Sequence, residues 1–307
     1  MPIRPRILLD CDPGHDDAVA IALALAHTDL VGVTTVGGNV DVAQTTANAL
    51  AVLDLFGSDA PVHQGLDEPI GGRRMARGQA IHGATGLDGA AVPRSTRTAA
   101  GDDAVAYLID TIRAEEGLWL VPTGPLTNVA TMLSAAPDVT RRLAGISFMG
   151  GSAGAGNRTA VAEFNVWADP EAAAAVVACG APLVMSGLHL TRQVPVSAPL
   201  LERLRSAGDV PRLFAGLLGF YRDRCAERYL GDGAALHDAL AVLAVTHPHL
   251  FNGEDRHVVV ETAGSHTRGM TVVDRRDLRD PEAANCHVLM TVDAPAVLDL
   301  IVAAVTA

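Results

Sequence analysis

The chain has 307 residues, of which 49% are apolar and 19% charged, enough for a sizeable buried core and against a disordered or tail-dominated protein. Its 35 acidic residues outnumber its 23 basic ones for a formal charge of −12, which repels phosphate backbones and argues against a nucleic-acid partner. Every basic residue is Arg, and without a lysine no Schiff-base, P-loop-lysine or lysine-base mechanism is open to it.

Short apolar runs alternate with helical patterns, the βαβ signature of a mostly parallel sheet covered by helices. Ile7–Leu9 reads as a first strand, and Ala18–Ala26, nine consecutive apolar residues, as a helix buried on all sides. Leu30–Val36 is a second strand and Val42–Leu55 a second helix. Gly65–Thr98, rich in Gly and Arg, is the longest irregular stretch, of a length that in compact domains tends to be functional. Leu118–Val121 and Ile146–Met149 are further strands, with a helix from about Leu126 to Ser134 between them. Pro170–Cys179 is a helix with proline in its first turn, and Leu183–Ser186 another strand. Beyond Pro195 the pattern becomes more helical, through Pro211–Arg228 and His237–Thr246. Strand-like runs return at His257–Thr262, Met270–Val273 and His287–Val292, before a last helix from Asp293. With no linker, repeat or long charge block, residues 1–307 read as a single α/β domain.

No run reaches the roughly 18 apolar residues of a membrane-spanning helix; the nearest, Ala172–Met185, is cut by Gly180 and Pro182. No export signal is visible, and Cys11, Cys179, Cys225 and Cys286 form no Cys-x-x-Cys pair. A soluble cytoplasmic protein without disulfides, zinc or a membrane partner is the expectation.

The most informative segment is Asp10-Cys11-Asp12-Pro13-Gly14-His15-Asp16-Asp17, with four carboxylates in a turn between a buried strand and a buried helix. In open α/β sheets ligands bind at the carboxyl ends of the strands, where this turn lies. Helix capping explains Asp16 and Asp17 but not Asp10 and Asp12 on the far side of the turn. Clustered carboxylates repel unless a cation or shared protons hold them together, and hard oxygen ligands point to Ca²⁺ or Mg²⁺ rather than zinc.

Asp10–Ile21, reading DCDPGHDDAVAI, resembles the N-terminal signature of the inosine–uridine-preferring nucleoside hydrolases. The resemblance continues in order through Thr34–Asn39 (TTVGGN), Ile81–Gly86 (IHGATG), Val121–Asn128 (VPTGPLTN), Met149–Gly151, Ala162–Asn165 (AEFN), Asp169–Ala172 and His237-Asp238, covering nearly the whole chain. It implies a single α/β domain with a Rossmann-like core and a mixed, mainly parallel sheet, a bound Ca²⁺, and hydrolysis of the N-glycosidic bond of ribonucleosides. Homotetramers or dimers are usual among such proteins. Carried over by position, Asp12, Asp17, Asp238 and the main-chain carbonyl of Thr123 would hold the metal. Asp12 would also take the proton of the water that attacks the anomeric carbon. Asp16 and Asn165 would hold the ribose 2′- and 3′-hydroxyls, with Asn39 nearby. Asn157, Glu163 and Met149, with Phe164 alongside, would surround the 5′-hydroxyl end, and His82 and His237 would face the base.

The residue types suit that chemistry. Cleaving a ribosyl C–N bond passes through an oxocarbenium-like transition state, for which surrounding carboxylates are electrostatically right. A Ca²⁺-positioned water needs a carboxylate base beside it, and a departing base needs a proton, for which His237 is the candidate. Plainer readings stand beside these. Thr123 and Asn128 suit a turn and helix start, Asn157 a glycine-rich loop, Asp238 a helix N-terminus, and Met149 the core. His247, His249, His257, His266 and His287 read as surface or packing residues. Gly150–Gly154 matches a Gly-x-Ser-x-Gly nucleophile elbow, but loop composition follows it where a helix is required.

Three other functions compete. Asp10-x-Asp12 after a first strand also resembles aspartyl-phosphate phosphatases, against which Pro13 and the missing lysine count. A nucleoside phosphorylase cleaves the same bond, and a non-catalytic nucleoside or ribose binder would keep the fold. His15 and the block Gly154–Asn165 look most like the pyrimidine-leaning hydrolases, so uridine or cytidine is expected to be cleaved faster than inosine. The helix Phe220–Tyr229, with Arg222, Arg224, Arg228 and Tyr229, is expected to contact the base. Tyr229–His237 departs from the usual spacing, and Ala239 stands where many relatives have proline.

Overall fold

The structure is a computed structural model that describes residues 4–72, 77–229, 233–279 and 281–307. The chain opens with β1 (Arg6–Cys11), α1 (His15–His27), β2 (Asp29–Thr35), α2 (Val42–Leu55) and β3 (Val62–Gln64). A four-residue helix α3 (Gln79–His82) and then α4 (Ala104–Ala114) lead to β4 (Trp119–Pro122), α5 (Thr127–Ala135) and β5 (Gly145–Met149). The helices α6 (Phe164–Ala168) and α7 (Pro170–Val177) precede β6 (Leu183–Ser186) and a short α8 (Leu188–Thr191). Three helices follow, α9 (Ala198–Ser206), α10 (Asp209–Arg228) and α11 (Ala239–Thr246), then β7 (Phe251–Arg256), β8 (Val258–Val260) and β9 (Thr271–Val273). The last elements are β10 (Cys286–Val292) and α12 (Ala294–Thr306).

One α/β domain results, built on an eight-stranded sheet in the order β3-β2-β1-β4-β5-β6-β10-β7. Neighbouring strands run parallel except at the edge, where β7 is antiparallel to β10. Helices cover both faces, as a parallel sheet requires. Along β1 the pleat sends Ile7, Leu9 and Cys11 into the core shared with α1, α2, α10, α11 and α12, and Leu8 into the core shared with α4, α5 and α7. The apolar run after β1 is buried from His15 through Ala24, because α1 packs against α2, α11 and α12 as well as the sheet. Among the described residues no helix is long and apolar enough to cross a membrane.

The strands and helices read from the sequence are present with end shifts of up to three residues, the largest at the start of α1, while β3, β7, α3, α4, α6, α8 and α9 add to them. β7 escapes pattern reading because Asn252, Glu254 and Asp255 face solvent on an edge strand, where charge is a protective device rather than a loop signal. Gly65–Thr98 is irregular apart from α3, with residues 73–76 outside the described set.

The pleat also corrects the reading of Asp10. It shares the parity of Leu8 and therefore faces away from Cys11, accepting hydrogen bonds from Thr34 Oγ1 (2.6 Å) and Asn128 Nδ2 (2.8 Å). Burial pushes its carboxyl up to about 6. Asp10 is thus a buried framework acid and does not line the functional cavity. Asn128 is not a cap but an interior cross-link: its Nδ2 donates also to Thr35 O (2.9 Å) and its Oδ1 accepts from Leu66 N (2.9 Å). Asn128→Ala removes three hydrogen bonds at about 1 kcal/mol each, so a loss of about 3 kcal/mol in urea unfolding is expected. A loss below about 1 kcal/mol would show that these bonds are readily replaced.

Candidate active site

β1 lies between β2 and β4, so the direction of strand addition reverses at β1/β4. The crevice outside the strand ends at such a switch point is where open α/β sheets bind ligands. Here it is a cavity of about 410 Å³, within the range of small-molecule sites. Asp12 follows β1, Asn39 follows β2, Thr123 follows β4 and Met149 ends β5, and all four line it.

The acidic turn is tightly packed. Gly14 N donates to Asp17 Oδ2 (2.9 Å), closing the first turn of α1. A side chain at Gly14 would press on His82 and Asn39, with its Cβ 2.5 Å from His82 Nδ1, and one at Gly38 would collide with the Asp12 carboxylate. Asn39 ties the two strand ends together: its N–H donates to Asp12 Oδ2 (2.7 Å), and its Nδ2 to Asp12 O (3.1 Å) and Asp17 Oδ2 (3.4 Å). Thr123 Oγ1 donates to Asp17 Oδ1 (2.9 Å).

Asp16, Asp17 and Asp238, all buried, each offer an oxygen within 4.8 Å of the others. Asp12 stands on the same wall, and its charge reaches Asp238. Burial first, and then repulsion from the neighbouring acids, holds Asp12 and Asp238 well above the usual carboxylate range and raises Asp16 to about 8. Asp17 is also raised by burial, against the hydrogen bonds from Gly14 and Thr123. Buried like charges at this spacing do not all ionise unaided. An all-oxygen donor set fits a hard divalent cation. The sequence expectation placed Asp16 on the ribose and Asp12 with the metal; Asp16 here lies in the same cluster of oxygens as Asp17 and Asp238. The Thr123 carbonyl faces the same region and accepts from Asn165 Nδ2 (2.7 Å).

Glu163, the N-cap of α6, and Phe164 and Asn165, its first residues, also line the cavity. Glu163 caps the helix, its oxygens accepting from Asn165 N (2.8 Å), Val166 N (3.1 Å) and Gly151 N (3.0 Å). Asn165 Nδ2 also reaches Met149 O (3.2 Å). Asn157 lines the cavity with its Oδ1 buried and without a hydrogen-bond partner. Ser152 is held through its main chain by Thr271, its N–H donating to Thr271 Oγ1 (2.7 Å), and α6 begins only at Phe164, so no nucleophile elbow forms.

Two histidines complete the wall. His82 stacks on His15 (centroids 5.2 Å apart) and on Tyr221 (5.4 Å), with the two histidine Nδ1 atoms 3.1 Å apart. His15 Nε2 meets Asp88 O at 2.8 Å. Burial, reinforced by His15 and His237, holds His82 well below the usual histidine range. His237 Nδ1 lies 2.6 Å from Thr191 Oγ1, and burial, with a contribution from Arg192, lowers its ring to about 4. Burial thus favours the neutral ring of His237.

On α10 the residues facing the cavity are Tyr221, Cys225 and Arg228, followed by Tyr229. Arg222 and Arg224 do not line it; they pair with Asp223 (3.4 Å) and Glu227 (2.8 Å). Helix geometry fits this, since positions 221, 225 and 228 (i, i+4, i+7) form one stripe, with 222 and 224 on its two flanks. Sequence reasoning passed over Tyr221, Cys225, Arg77 and Arg192, although an i, i+4 count back from Tyr229 was available for the first two. Part of the irregular 229–237 stretch, residues 230–232, lies outside the described set.

Comparison with known proteins agrees with this geometry. Residues 7–299 match the sequence profile of the family described as inosine-uridine preferring nucleoside hydrolase. The chain is 42% identical over 305 residues to a pyrimidine-specific ribonucleoside hydrolase RihA of Shewanella sp. (strain ANA-3), covering 97% of this chain and 95% of that protein. Among solved structures it is similar to a purine-preferring ribonucleoside hydrolase from Gardnerella vaginalis, with 32% identity, 98% of each chain covered and a TM-score of 0.91. A plant nucleoside hydrolase superposes with a TM-score of 0.92 at 32% identity over 99% of each chain. The chain therefore belongs to the inosine-uridine preferring nucleoside hydrolase family and is an N-glycosidase.

Proposed function

We propose that this chain is a Ca²⁺-dependent ribonucleoside hydrolase that prefers pyrimidine ribonucleosides, releasing free base and ribose. The observation that carries this reading is the convergence of Asp16, Asp17 and Asp238 oxygens within 4.8 Å, with Asp12 on the same wall. Asp12, Asp17, Asp238 and the Thr123 carbonyl would hold the cation, with Asp16 adjoining. When bound, the cation neutralises these carboxylates and acidifies a water at the sugar's anomeric face.

Asp12, aimed by the Asn39 N–H on its Oδ2, takes the proton from the attacking water. Asp16 and Asn165 hold the ribose 2′- and 3′-hydroxyls, fixing the ring and favouring its flattening. Asn157, Glu163, Met149 and Phe164 enclose the 5′ end. Carboxylates around the ring stabilise the positive charge that builds on it. His82 and His237, neutral and buried, face the leaving base, and His237 is the group placed to donate to it. The pyrimidine preference is supported by the 42% identity to a protein described as pyrimidine-specific, against 32% to one described as purine-preferring. Family membership leaves no support for the aspartyl-phosphate phosphatase reading.

Three outcomes are expected. In a panel of uridine, cytidine, adenosine, guanosine and inosine, reducing-sugar release is fastest for uridine or cytidine; equal or greater turnover of inosine overturns the preference. Asp12→Asn lowers kcat by roughly 10³-fold or more, because a base and a cation ligand are lost together. Near-normal turnover would remove Asp12 from the mechanism.

The third concerns the cation. Chelation abolishes activity and Ca²⁺ restores it. The carboxylates that would bind it, Asp12, Asp17 and Asp238, are raised without it, as is the adjoining Asp16, to about 8, so binding must displace protons. Calorimetric titration with Ca²⁺ should thus report proton release at pH 7 and an affinity that rises from pH 6 to pH 8. A pH-independent affinity would contradict the assignment of these ligands.

A further inference from the structure

Between β5 and α6 the chain runs as a glycine-rich loop that brings Asn157 to the cavity wall. The base of this loop is anchored by α8, where His189 Nδ1 accepts from Ala153 N (3.0 Å) while its Nε2 meets Leu289 O (2.9 Å). Its tip folds on itself, the N–H groups of Asn157 and Arg158 both reaching Ala162 O (3.2 and 3.0 Å). Side chains from elsewhere take three successive carbonyls of that tip. Arg192, which caps α8, donates from Nη1 to Ala155 O (3.3 Å) and from Nη2 to Gly156 O (2.8 Å). Tyr229, just past α10, donates from its hydroxyl to Asn157 O (3.1 Å). Both side chains also line the cavity, as does Asn157, whose Oδ1 is buried without a partner.

We propose that Arg192 and Tyr229 are positioning residues for 5′-hydroxyl recognition, holding the Asn157 amide oxygen where it accepts from that hydroxyl. This rests on reading the cavity as a ribonucleoside site. A buried acceptor without a donor is costly, and an alcohol supplies the donor. A sugar with hydrogen in place of that hydroxyl leaves the oxygen unpaired, the arrangement that gives strong discrimination against the deoxy analogue. Discrimination of this kind lasts only while the acceptor stays fixed, since small misplacements of positioning groups are expensive in rate. Here the fixing is done from outside the loop, by a guanidinium fork making charge-assisted bonds and by one phenol. Tyr229 caps the carboxyl end of the helix whose Tyr221 and Cys225 line the cavity. The base compartment and the 5′ end are thus joined by one residue.

The test is a comparison of kcat/KM for uridine and 5′-deoxyuridine in the wild type and in Arg192→Met, Arg192→Lys and Tyr229→Phe. Wild type prefers uridine. Arg192→Met shrinks that preference by about tenfold to a hundredfold, the size expected for charge-assisted bonds, and Tyr229→Phe by about threefold to tenfold. Arg192→Lys retains part of it, since one ammonium reaches one carbonyl but lacks the fork. Melting temperatures measured alongside exclude general unfolding as the cause. An unchanged preference in both Arg192→Met and Tyr229→Phe overturns the inference. So does an equal loss on both substrates, which would place Arg192 at His237 instead of at the loop. A wild type that cleaves the two alike also overturns it, while leaving hydrolysis itself standing. A folded wild type that cleaves neither counts against the ribonucleoside reading and removes the basis of the inference with it.

Discussion

Repulsion among carboxylates taken out of water is the constraint on which this molecule turns. Asp12, Asp16, Asp17 and Asp238 are each buried, and their charges act on one another across a short gap. Hydrogen bonds relieve part of this: Gly14 N and Thr123 Oγ1 serve Asp17, and Asn39 N serves Asp12. The starts of α1 and α11 relieve another part, since Asp16, Asp17 and Asp238 sit in or against the first turns, at the positive ends of the helix dipoles. What remains is a demand for positive charge that no lysine can meet in this chain. A hard cation of the kind the metal-dependent family uses meets it.

The fold exists to hold that arrangement still. Two helices buried almost on every side, α1 and α11, pack against each other and present their acidic starts to one crevice. The sheet supplies the opposite anchors, Thr123 after β4 and Met149 at the end of β5, so the ring of polar groups grows from strand ends and not from free loops. Sites built on strands and helices keep their geometry better than sites built on loops. The loop wall around Asn157 is braced from outside by α8 and by the residue after α10.

Much of this could be read from residue order alone, and the exceptions have definite causes. The buried helix after β1 and the acidic turn before it were legible because nine apolar residues and four carboxylates leave few alternatives. Asp10 was misread as part of the acidic cluster because adjacency in sequence conceals the alternation of a strand, which turns it toward Asn128. On α10 the arginines drew attention by charge, whereas the helical phase brings Tyr221 and Cys225 to the cavity. Thr191, Arg192 and His189 carried no signal, because their partners are main-chain carbonyls, main-chain N–H groups and one buried ring, distant in sequence. Side-chain bonds to a remote backbone leave no periodicity to detect.

The pairing of α1 with α11 has a consequence for assembly. One carries acids from near the amino terminus, the other an acid from the last quarter of the chain, and the crevice is incomplete until both have docked. An ion seated between them would act as a clasp across most of the polypeptide, closing a loop that contains five of the sheet's eight strands. Capacity to take up the ion should then mature late in folding, and occupancy should slow the opening of a molecule that is otherwise held at this point by mutually repelling groups.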